Sequence, residues 1–529
     1  MLRRNYTPTP LGYAILTFFT FITLYLLTPT DSSISLLPSS WSSQSDTWAT
    51  PHRPIGKEED ELDNRPLPLL PKIYSSEFPD LKLPASLLTS PKLYPLSSRL
   101  VSFLSRPILS HSDASQANFE SCPSELSDKL VNPDQYAGDG PFWRDDVDEA
   151  EIVRRRADVV RYLGEAVEKG EQVLGQEGKT GKGRGIVLTG GNQDTTLRTI
   201  TAIKHLRRLG VKLPIEVFHY SDELHDKQQR KEIESLGARL REAKGLEKVA
   251  GVWKNWQIKG LALVQSSFRE IIYLDSDNTP LRSPSHLFEA PIYTSSGRAA
   301  FWPDLSKDHP DNAIWRLVGE TCSLDLWTFE SGQIVVDKAG NEGMNLAALI
   351  IAAGMMRDRD FWFHMCGGDK DTFRWAWRML DIEFGVSPRW MSTVGIRNEF
   401  EDGRFCGHSV LQYDLATPEG FSRPPPLFVH SNLLKHLGGA GLSKGNLFKF
   451  IRRMSEDYSS SPLLNHAHSF VYGANVRGMC LDLDWHEDTP QEVKEDVSVE
   501  TYAVEQEEGG VFDGFEDAWW EEGGRVGGW

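Results

Sequence analysis

The chain has 529 residues, a formal net charge of −18 and 40% hydrophobic residues, enough for one or two sizeable cores. The acidity is concentrated, since residues 481–529 carry 16 Asp and Glu against 2 Lys and Arg and so contribute −14 of the −18. No basic stripe runs along the chain, which argues against a nucleic-acid-binding face.

The N-terminus predicts a membrane anchor. Residues 11–27 are 17 uncharged, mostly apolar residues, about 25 Å long as a helix, which is near the lower limit for crossing a bilayer. Arg3 and Arg4 favour a cytoplasmic N-terminus. We therefore expect a cytoplasmic tail at 1–10 and one transmembrane signal anchor at 11–28, with the rest of the chain in the lumen. A cleaved signal peptide is the alternative, although no small-residue cleavage site follows.

Composition divides the remainder. Residues 29–120 are rich in Pro, Ser and Thr and predict a flexible luminal stalk. Residues 121–184 contain a helical pattern and predict a neck that packs on a catalytic domain at 185–480. Residues 481–529 mix acids, Gly and aromatics and predict a disordered tail.

The cysteines lack the spacing of a zinc site. No two of the five are separated as C-x-x-C, and in an oxidising lumen they predict one or two disulfides with at least one thiol left over. Their pairing is not encoded in the spacing; the five are Cys122, Cys322, Cys366, Cys406 and Cys480.

The catalytic domain opens with a strand–helix–strand pattern. Residues 186–189 and 214–219 are typical of strands, and an apolar stripe between Leu197 and Leu209 is typical of a helix. This order predicts an α/β fold with a mostly parallel central sheet. Gly190 and Gly191 follow the first strand. They either lie under a nucleotide or form a plain tight turn, because no phosphate-loop pattern accompanies them.

The most informative stretch is 270–280. Four apolar residues, 271–274, predict a strand that is covered on both faces, and Asp275 and Asp277 follow it directly. In α/β sheets, ligands lie beyond the carboxyl ends of strands, and residues at i and i+2 point the same way. Two adjacent carboxylates repel unless a cation lies between them. A hard divalent ion that also grips a phosphate would fit, and a solvated acidic turn is the alternative.

Other polar residues flank predicted elements. Lys259 lies on a helix before the central strand and is either a phosphate contact or a solvated surface lysine. Asp369 and Asp371 lie near a helix N-terminus after two glycines, where capping explains one of them. His430 ends a predicted strand and is a candidate third metal ligand.

Taken together, these segments resemble the fungal Golgi α-mannosyltransferases of glycosyltransferase family 71, which branch mannan through α-1,2 and α-1,3 linkages. The resemblance covers residues 184–435. It is carried by residues 185–191, 213–217, 273–278, 330–333, 368–373 and 429–430.

The resemblance implies a GT-A-like nucleotide-sugar transferase fold and a type II protein of the Golgi membrane. It also implies GDP-mannose as donor, Mn²⁺ as cofactor, a mannose-containing glycan as acceptor, and transfer with retention of configuration. We favour an α-1,2 linkage in the outer chain of N-glycans. A Golgi mannosyltransferase complex is an expected partner.

Roles carry over by position in this sequence and fall into three sets. The metal ligands are Asp275, Asp277 and His430; the donor-binding residues are Gly190, Gly191, Lys259, Asp275 and Gln333; the catalytic candidates are Asp369, Asp371 and Glu330. Among the last set, Asp369 is expected beside the reacting carbon.

Three alternatives remain at this point. A transferase of the same fold that uses a UDP-sugar would show the same acidic pair and the same metal. A non-catalytic Golgi scaffold subunit would keep the fold and tolerate loss of Asp277. An acidic luminal ion-binding protein would explain the tail, but not the ordered α/β core.

Overall fold

A computed structural model describes residues 69–124, 131–252, 255–324, 327–398, 403–454, 467–472, 476–483, 491 and 499–528. The predicted cytoplasmic tail and membrane anchor, residues 1–28, and the first part of the predicted stalk lie outside these ranges. Within them, no helix combines the length and the apolar character needed to cross a bilayer.

Helices dominate the first part of the described chain, and strands alternate with helices after residue 184. The α-helices are α1 (Ile73–Ser76), α2 (Ala85–Leu88), α3 (Tyr94–Leu104), α4 (His111–Ser121), α5 (Pro133–Asp145), α6 (Glu149–Glu168), α7 (Gln193–Arg208), α8 (Lys227–Ser235), α9 (Ile258–Gln265), α10 (Pro291–Ser295), α11 (Ile314–Val318), α12 (Met344–Arg357), α13 (Arg359–Cys366), α14 (Lys370–Met379) and α15 (Phe515–Glu521).

The strands are β1 (Arg184–Thr189), β2 (Ile215–His219), β3 (Ala238–Glu242), β4 (Glu270–Leu274), β5 (Asn278–Pro280), β6 (Ala299–Pro303), β7 (Phe329–Asp337), β8 (Gly385–Val386), β9 (Ser392–Asn398), β10 (Arg404–Tyr413), β11 (Pro426–His430), β12 (Phe450–Met454), β13 (Ala467–Tyr472), β14 (Gly478–Leu483) and β15 (Val499–Ala503).

The first sheet has the strand order β3-β2-β1-β4-β7-β6-β8. The pairs β2–β3, β1–β2, β1–β4 and β6–β8 are parallel, whereas β7 runs antiparallel between β4 and β6. The predicted α/β class with a mostly parallel sheet is therefore confirmed. Because β1, β2 and β4 are parallel neighbours, the loops that follow them meet at one edge of the sheet.

Both faces of this sheet are covered, as the apolar run 271–274 predicts. Ile271 and Tyr273 belong to a core cluster that includes residues of α6, α9, α12 and α14. Ile272 and Leu274 face the opposite way and pack with residues of α7. This alternation is what a strand buried on both sides requires.

The second sheet is antiparallel and runs in the order β13-β14-β10-β9-β12-β15. β11 pairs with β10, and the short β5 pairs with β11, so the chain just after β4 is tied into the second sheet. The acidic pair, Asp275 and Asp277, lies in the passage between the two sheets.

The predicted stalk is wrong for residues 69–120. The helices α1–α4 occupy this segment, and Leu87, Leu96 and Leu100 have no exposed surface. They belong to the same core cluster as α6 and α12. Enough apolar side chains lie between the prolines to build a packed layer, so the segment is part of the folded body.

The predicted disorder of the tail is also wrong for the described residues 499–528. β15 pairs with β12, and α15 buries Phe515 and Trp519 in the core of the second sheet. Acids of this segment are paired within the fold: the Glu522 carboxylate lies 2.5 Å from Arg208 Nε and 2.7 Å from His205 Nδ1. Paired acids of this kind do not prevent folding. The composition of the segment shows an excess of acids but not their partners elsewhere in the chain, and it therefore indicated disorder.

Two disulfides join distant parts of the chain: Cys122–Cys322 and Cys406–Cys480. Cys366 is a buried free thiol. This agrees with the expectation of one or two bridges and one thiol left over. The described residues all belong to one compact unit of the chain.

Candidate active site

Backbone pairing brings His430 to the acidic pair. The Asp275 N–H donates to the Gly332 carbonyl of β7 at 2.8 Å, so the chain is still held by the first sheet as it leaves β4. Asn278 of β5 is then opposite His430 of β11, and the Ser431 N–H donates to the Asp277 carbonyl at 2.9 Å. Two residues separated by about 150 positions are thereby fixed side by side.

Asp275, Asp277 and His430 form a group that can hold a metal ion. One ligand atom from each lies within 4.8 Å of the others, and His430 Nε2 is 3.3 Å from Asp277 Oδ1. Two carboxylates and one imidazole suit a divalent ion such as Mn²⁺, which accepts oxygen and nitrogen ligands. The predicted metal ligands therefore lie together, and their donor set fits the predicted ion.

Lys259 lies between two carboxylates at the floor of this site. Its ammonium is 3.1 Å from Asp275 Oδ2 and 2.7 Å from Asp369 Oδ2. It also donates to Ser331 Oγ at 2.9 Å. Because the side chain is buried, the alternative of a solvated surface lysine is wrong. Lys259 links the acidic pair to Asp369.

Glu330 holds the other side of His430. Its Oε2 is 2.9 Å from His430 Nδ1, while its Oε1 accepts the Gly332 N–H at 2.8 Å. A carboxylate on the second ring nitrogen fixes the orientation of a metal-binding histidine. A Cβ at position 332 would come within 2.7 Å of His430 Nδ1, so glycine is needed there.

The charges around His430 are strongly coupled. Burial disfavours the imidazolium, but the carboxylates of Glu330 and Asp277 outweigh it and raise the pKa of His430 to about 10. Burial likewise opposes the charge of Glu330, yet His430 lowers the pKa of Glu330 to about 2. A metal ion on His430 would have to displace this proton, since only the neutral ring can be a ligand.

The two aspartates differ in their surroundings. Burial raises the pKa of Asp275, and the ammonium of Lys259 only partly offsets it. Asp277 is also buried, but Lys435 and His430 hold its pKa well below its usual range. Asp277 is thus the carboxylate that stays charged in the absence of a metal, and a divalent ion would stabilise the charge of Asp275 as well.

Lys435 is a site residue that sequence reasoning missed. Its ammonium lies 2.5 Å from Asp277 Oδ2. It lies five residues after His430, beyond the end of a predicted strand, and a lysine at such a position is usually solvated. The signal that could have identified it is the position itself, beyond the carboxyl end of the strand that carries His430.

The metal-binding group opens into a cleft of about 240 Å³ at the edge of the first sheet. Its lining combines the acidic pair, four basic side chains and the turn after β1. The lining residues are Thr189, Gly190, Gly191, Asn192, Thr195, Arg198, Tyr220, Glu223, Lys248, Asn255, Trp256, Ile258, Lys259, Asp275, Ser276, Asp277 and Lys435. The cleft lies where α/β sheets bind their ligands.

Gly190 and Gly191 line this cleft, where a bound nucleotide could contact them. The turn is also tight: a Cβ at 190 would lie 2.6 Å from Thr199 Oγ1, and one at 191 would lie 2.2 Å from Glu223 Oε2. The tight turn is therefore observed, and the role under a nucleotide stays a prediction.

The other predicted site residues are not all brought into the cleft. Asp369 contacts Lys259, which lines the cleft, whereas Glu330 contacts His430, which in turn contacts Asp277 of the lining. Gln333 is buried beneath the site and accepts from Asn278 at 2.6 Å. Asp371 is engaged elsewhere: it accepts the Phe329 N–H at 2.9 Å and lies 3.0 Å from Arg374 Nε. These contacts make Asp371 part of the packing of α14 against β7.

Residues 183–319 match the protein family described as "Mannosyltransferase putative". The α-1,2-mannosyltransferase MNN2 of Saccharomyces cerevisiae is 26% identical over 294 residues, which cover 46% of this chain and 47% of that protein. MNN2 of Candida albicans is 35% identical over 126 residues, covering 23% of this chain and 21% of that protein. The predicted resemblance to the fungal mannosyltransferases is confirmed.

This chain thus spans less than half the length of these mannosyltransferases. Among solved structures, core-mannan synthase A (CmsA/Ktr4) of Aspergillus fumigatus in its Mn/GDP form has a TM-score of 0.26 and 8% identity, covering 41% of this chain and 74% of that chain. The glycosyltransferase GlyE of Streptococcus pneumoniae has a TM-score of 0.26 and 14% identity, covering 39% and 45%. Scores this low do not establish a shared fold.

Proposed function

We propose that the protein is a metal-dependent glycosyltransferase with a GT-A-like fold that transfers mannose from GDP-mannose to an α-mannoside acceptor. The proposal includes an α-1,2 linkage and retention of configuration. The observation that carries it is the group of Asp275, Asp277 and His430 at the edge of a cleft beside a glycine turn. The similarity of residues 183–319 to mannosyltransferases supports mannose as the sugar.

Asp275, Asp277 and His430 would hold the metal ion. A bound Mn²⁺ would neutralise the charge that develops on the leaving diphosphate. Lys435 reaches the same carboxylate and would place a second positive charge beside the phosphate oxygens. The glycine turn after β1 lines the cleft between this end and the end of β2, so the nucleotide would pass over it.

Asp369 is the carboxylate proposed beside the reacting carbon. Lys259 holds it at 2.7 Å and keeps it tied to the metal-binding pair. In the reaction, the bond between the anomeric carbon and the phosphate oxygen breaks while the acceptor hydroxyl oxygen bonds to that carbon on the same face, and the hydroxyl proton passes to the departing diphosphate. A carboxylate at this position would stabilise the positive charge on the sugar.

The proposal also includes the location of the enzyme. The apolar run at 11–27 and the preceding Arg3 and Arg4 support a single-pass type II protein of the Golgi membrane with its catalytic part in the lumen. Alkaline extraction and protease protection of intact vesicles test this topology. Release into the supernatant, or digestion without detergent, would contradict it.

The activity is tested with the purified full-length protein, GDP-mannose and an α-mannoside acceptor, with Mn²⁺ or with EDTA. We expect transfer to require the metal. The transfer rate should fall by at least about 100-fold in Asp277→Asn, because the substitution removes a metal ligand together with its negative charge. Asp222→Asn is the matched control, because the Asp222 side chain is 63% exposed and does not line the cleft.

The outcomes separate the alternatives. Transfer from a UDP-sugar but not from GDP-mannose would keep the site and contradict the donor. A folded protein without turnover of any nucleotide sugar, together with full function of Asp277→Asn in cells, would favour the scaffold. Linkage analysis of the product tests α-1,2 against α-1,3, and the anomeric configuration of the product tests retention.

A further inference from the structure

The cleft has a second end, opposite the metal-binding group. β2, β1 and β4 are adjacent parallel strands, so the residues that follow β2 lie two strand spacings, roughly 10 Å, from those that follow β4. A nucleotide diphosphate with its phosphates at Asp277 would pass over Gly190 and Gly191. Its base would then lie at the end of β2, among Tyr220, Glu223 and Lys248.

Glu223 is held rigidly at this end. Its Oε2 accepts the Tyr220 N–H at 3.1 Å, and its Oε1 lies 2.7 Å from the Lys248 ammonium. The next residue, Leu224, has a left-handed φ of 55° and donates its N–H to the Gly191 carbonyl at 3.1 Å. The turn is thereby locked onto the glycines, and the carboxylate is fixed before any ligand binds.

A fixed carboxylate beside an ammonium matches the hydrogen-bonding groups of guanine better than those of uracil. A carboxylate has about four acceptor positions, so Glu223 retains acceptor capacity after its two contacts. Guanine presents two adjacent donors, N1–H and the 2-amino group, next to the acceptor O6. Uracil presents a single donor between two carbonyl oxygens, one of which would face the carboxylate. The pair of Glu223 and Lys248 therefore complements guanine.

We propose that Glu223, with Lys248 beside it, is the residue that selects a guanine nucleotide in the cleft. This inference rests on the proposed function and names the part of the donor that one side chain recognises. The carboxylate accepts from N1–H and the 2-amino group, and the lysine donates to O6. Glu223 determines specificity and takes no part in the transfer of the sugar.

The test is equilibrium binding of GDP, inosine diphosphate and UDP to the full-length protein with Mn²⁺. Inosine diphosphate lacks only the 2-amino group of GDP. We expect the wild type to bind GDP about 10- to 100-fold more tightly than either of the others, the range for hydrogen bonds to a charged group. In Glu223→Gln, the affinities for GDP and for inosine diphosphate should differ by no more than about twofold.

Asp222→Asn is the control, because Asp222 lies 3.3 Å from the same lysine but does not line the cleft. This variant should keep the wild-type ratios. Glu223→Asp retains the charge on a shorter side chain, and it should also lose the preference for GDP over inosine diphosphate. It also serves as the second variant if Glu223→Gln does not fold.

The proposal is overturned if both Glu223 variants keep the wild-type ratio of GDP to inosine diphosphate, or if the wild type does not distinguish the three nucleotides. It is also overturned if the Glu223 variants lose affinity for GDP and for UDP by the same factor. That result would mean that Glu223 only stabilises the turn after β2. Absence of any nucleotide binding would overturn this proposal and the proposed function together. Guanine-selective binding without transfer of mannose would overturn the proposed function alone.

Discussion

Lys259 is the residue on which the charge balance of the site depends. It is buried between Asp275 and Asp369, at 3.1 and 2.7 Å. Although burial disfavours its charge, these carboxylates raise the pKa of Lys259 above its usual value. Lys259→Met would leave two carboxylates without their shared cation. We expect the free energy of unfolding to fall by about 3 to 5 kcal/mol in denaturant titrations without metal.

A double substitution separates charge from packing in this prediction. In Lys259→Met with Asp369→Asn, one of the two uncompensated charges is gone. The loss in free energy of unfolding of the double variant should therefore be smaller than the sum of the losses of the two single variants, by about 1 kcal/mol or more. Additive losses would mean that Lys259 acts through its aliphatic stem and not through its charge.

His408 gives the stability a defined dependence on pH. It is fully buried in β10, where Nε2 lies 2.8 Å from the Leu447 carbonyl, and burial lowers its pKa to about 4. An unfolded histidine titrates near 6.5. Between these values the unfolded chain binds the additional proton, so stability is present above about pH 6.5 and is lost as the pH falls toward 4.

The predicted size of this loss is about 3 kcal/mol, from 1.36 kcal/mol for each unit of difference in pKa. The measurement is the free energy of unfolding of wild type and His408→Gln at several pH values from 4 to 7. The stability advantage of the wild type should shrink as the pH falls through this window. A difference that stays constant with pH would contradict the buried neutral state of His408.

At the level of single residues, the sequence predicted Asp275, Asp277 and His430 as a group but could not supply their distances. A strand followed by two acids is a local pattern, whereas the pairing of β5 with β11 connects segments about 150 residues apart. Lys435 and Glu223 were not predicted. Their side chains become informative only when the ends of β2, β4 and β11 are known to converge.

Among the elements, α15 shows how composition can mislead. The acids and glycines of the C-terminal segment indicated disorder. Its aromatics at 512, 515 and 519 nevertheless follow a helical spacing, and all three are buried in the structure. Periodicity was the better guide here, because pairing with Arg208 reduces the repulsion between Glu521 and Glu522.

Trp519 and Trp520 make this element testable. Trp519 is 4% exposed and packs against Phe448, whereas Trp520 only borders the same core. Trp519→Ala should lower the free energy of unfolding by about 3 to 5 kcal/mol, as expected for a large aromatic removed from a core. Trp520→Ala is the adjacent control and should cost clearly less. Equal and small effects in thermal unfolding would mean that α15 is not docked in solution.

For the whole molecule, the structure moves the N-terminal limit of the folded body. The sequence predicted a body that begins near residue 121, because prolines and serines dominate the preceding segment. Three-dimensional packing places residues of α1–α3 in the largest core cluster of the described residues. Composition could not reveal this, since a proline-rich connection and a set of short packed helices have similar residue content.

The buried Arg156 ties this N-terminal layer to the body. Its guanidinium donates to the carbonyls of Arg106 and Pro107 at 2.6 and 2.8 Å, and to those of Arg316 and Leu317 at 2.8 and 2.9 Å. Without the layer, two of these four partners disappear. A buried cation that loses acceptors costs the full desolvation of the unpaired donors.

A chain that begins at Ser121 should therefore not fold cooperatively, whereas a chain that begins at Leu69 keeps α1–α4 and serves as the control. This truncation removes α1–α4 and with them the side chains of Leu87, Leu96 and Leu100, each worth about 1.5 to 3 kcal/mol when fully buried. Together with the loss at Arg156, this approaches the 5 to 15 kcal/mol by which a typical domain is stable. Calorimetry of the two shortened chains tests the prediction. A sharp transition at unchanged temperature in the chain from Ser121 would show that the N-terminal layer is dispensable, and the assays of binding and transfer could then use the shorter chain.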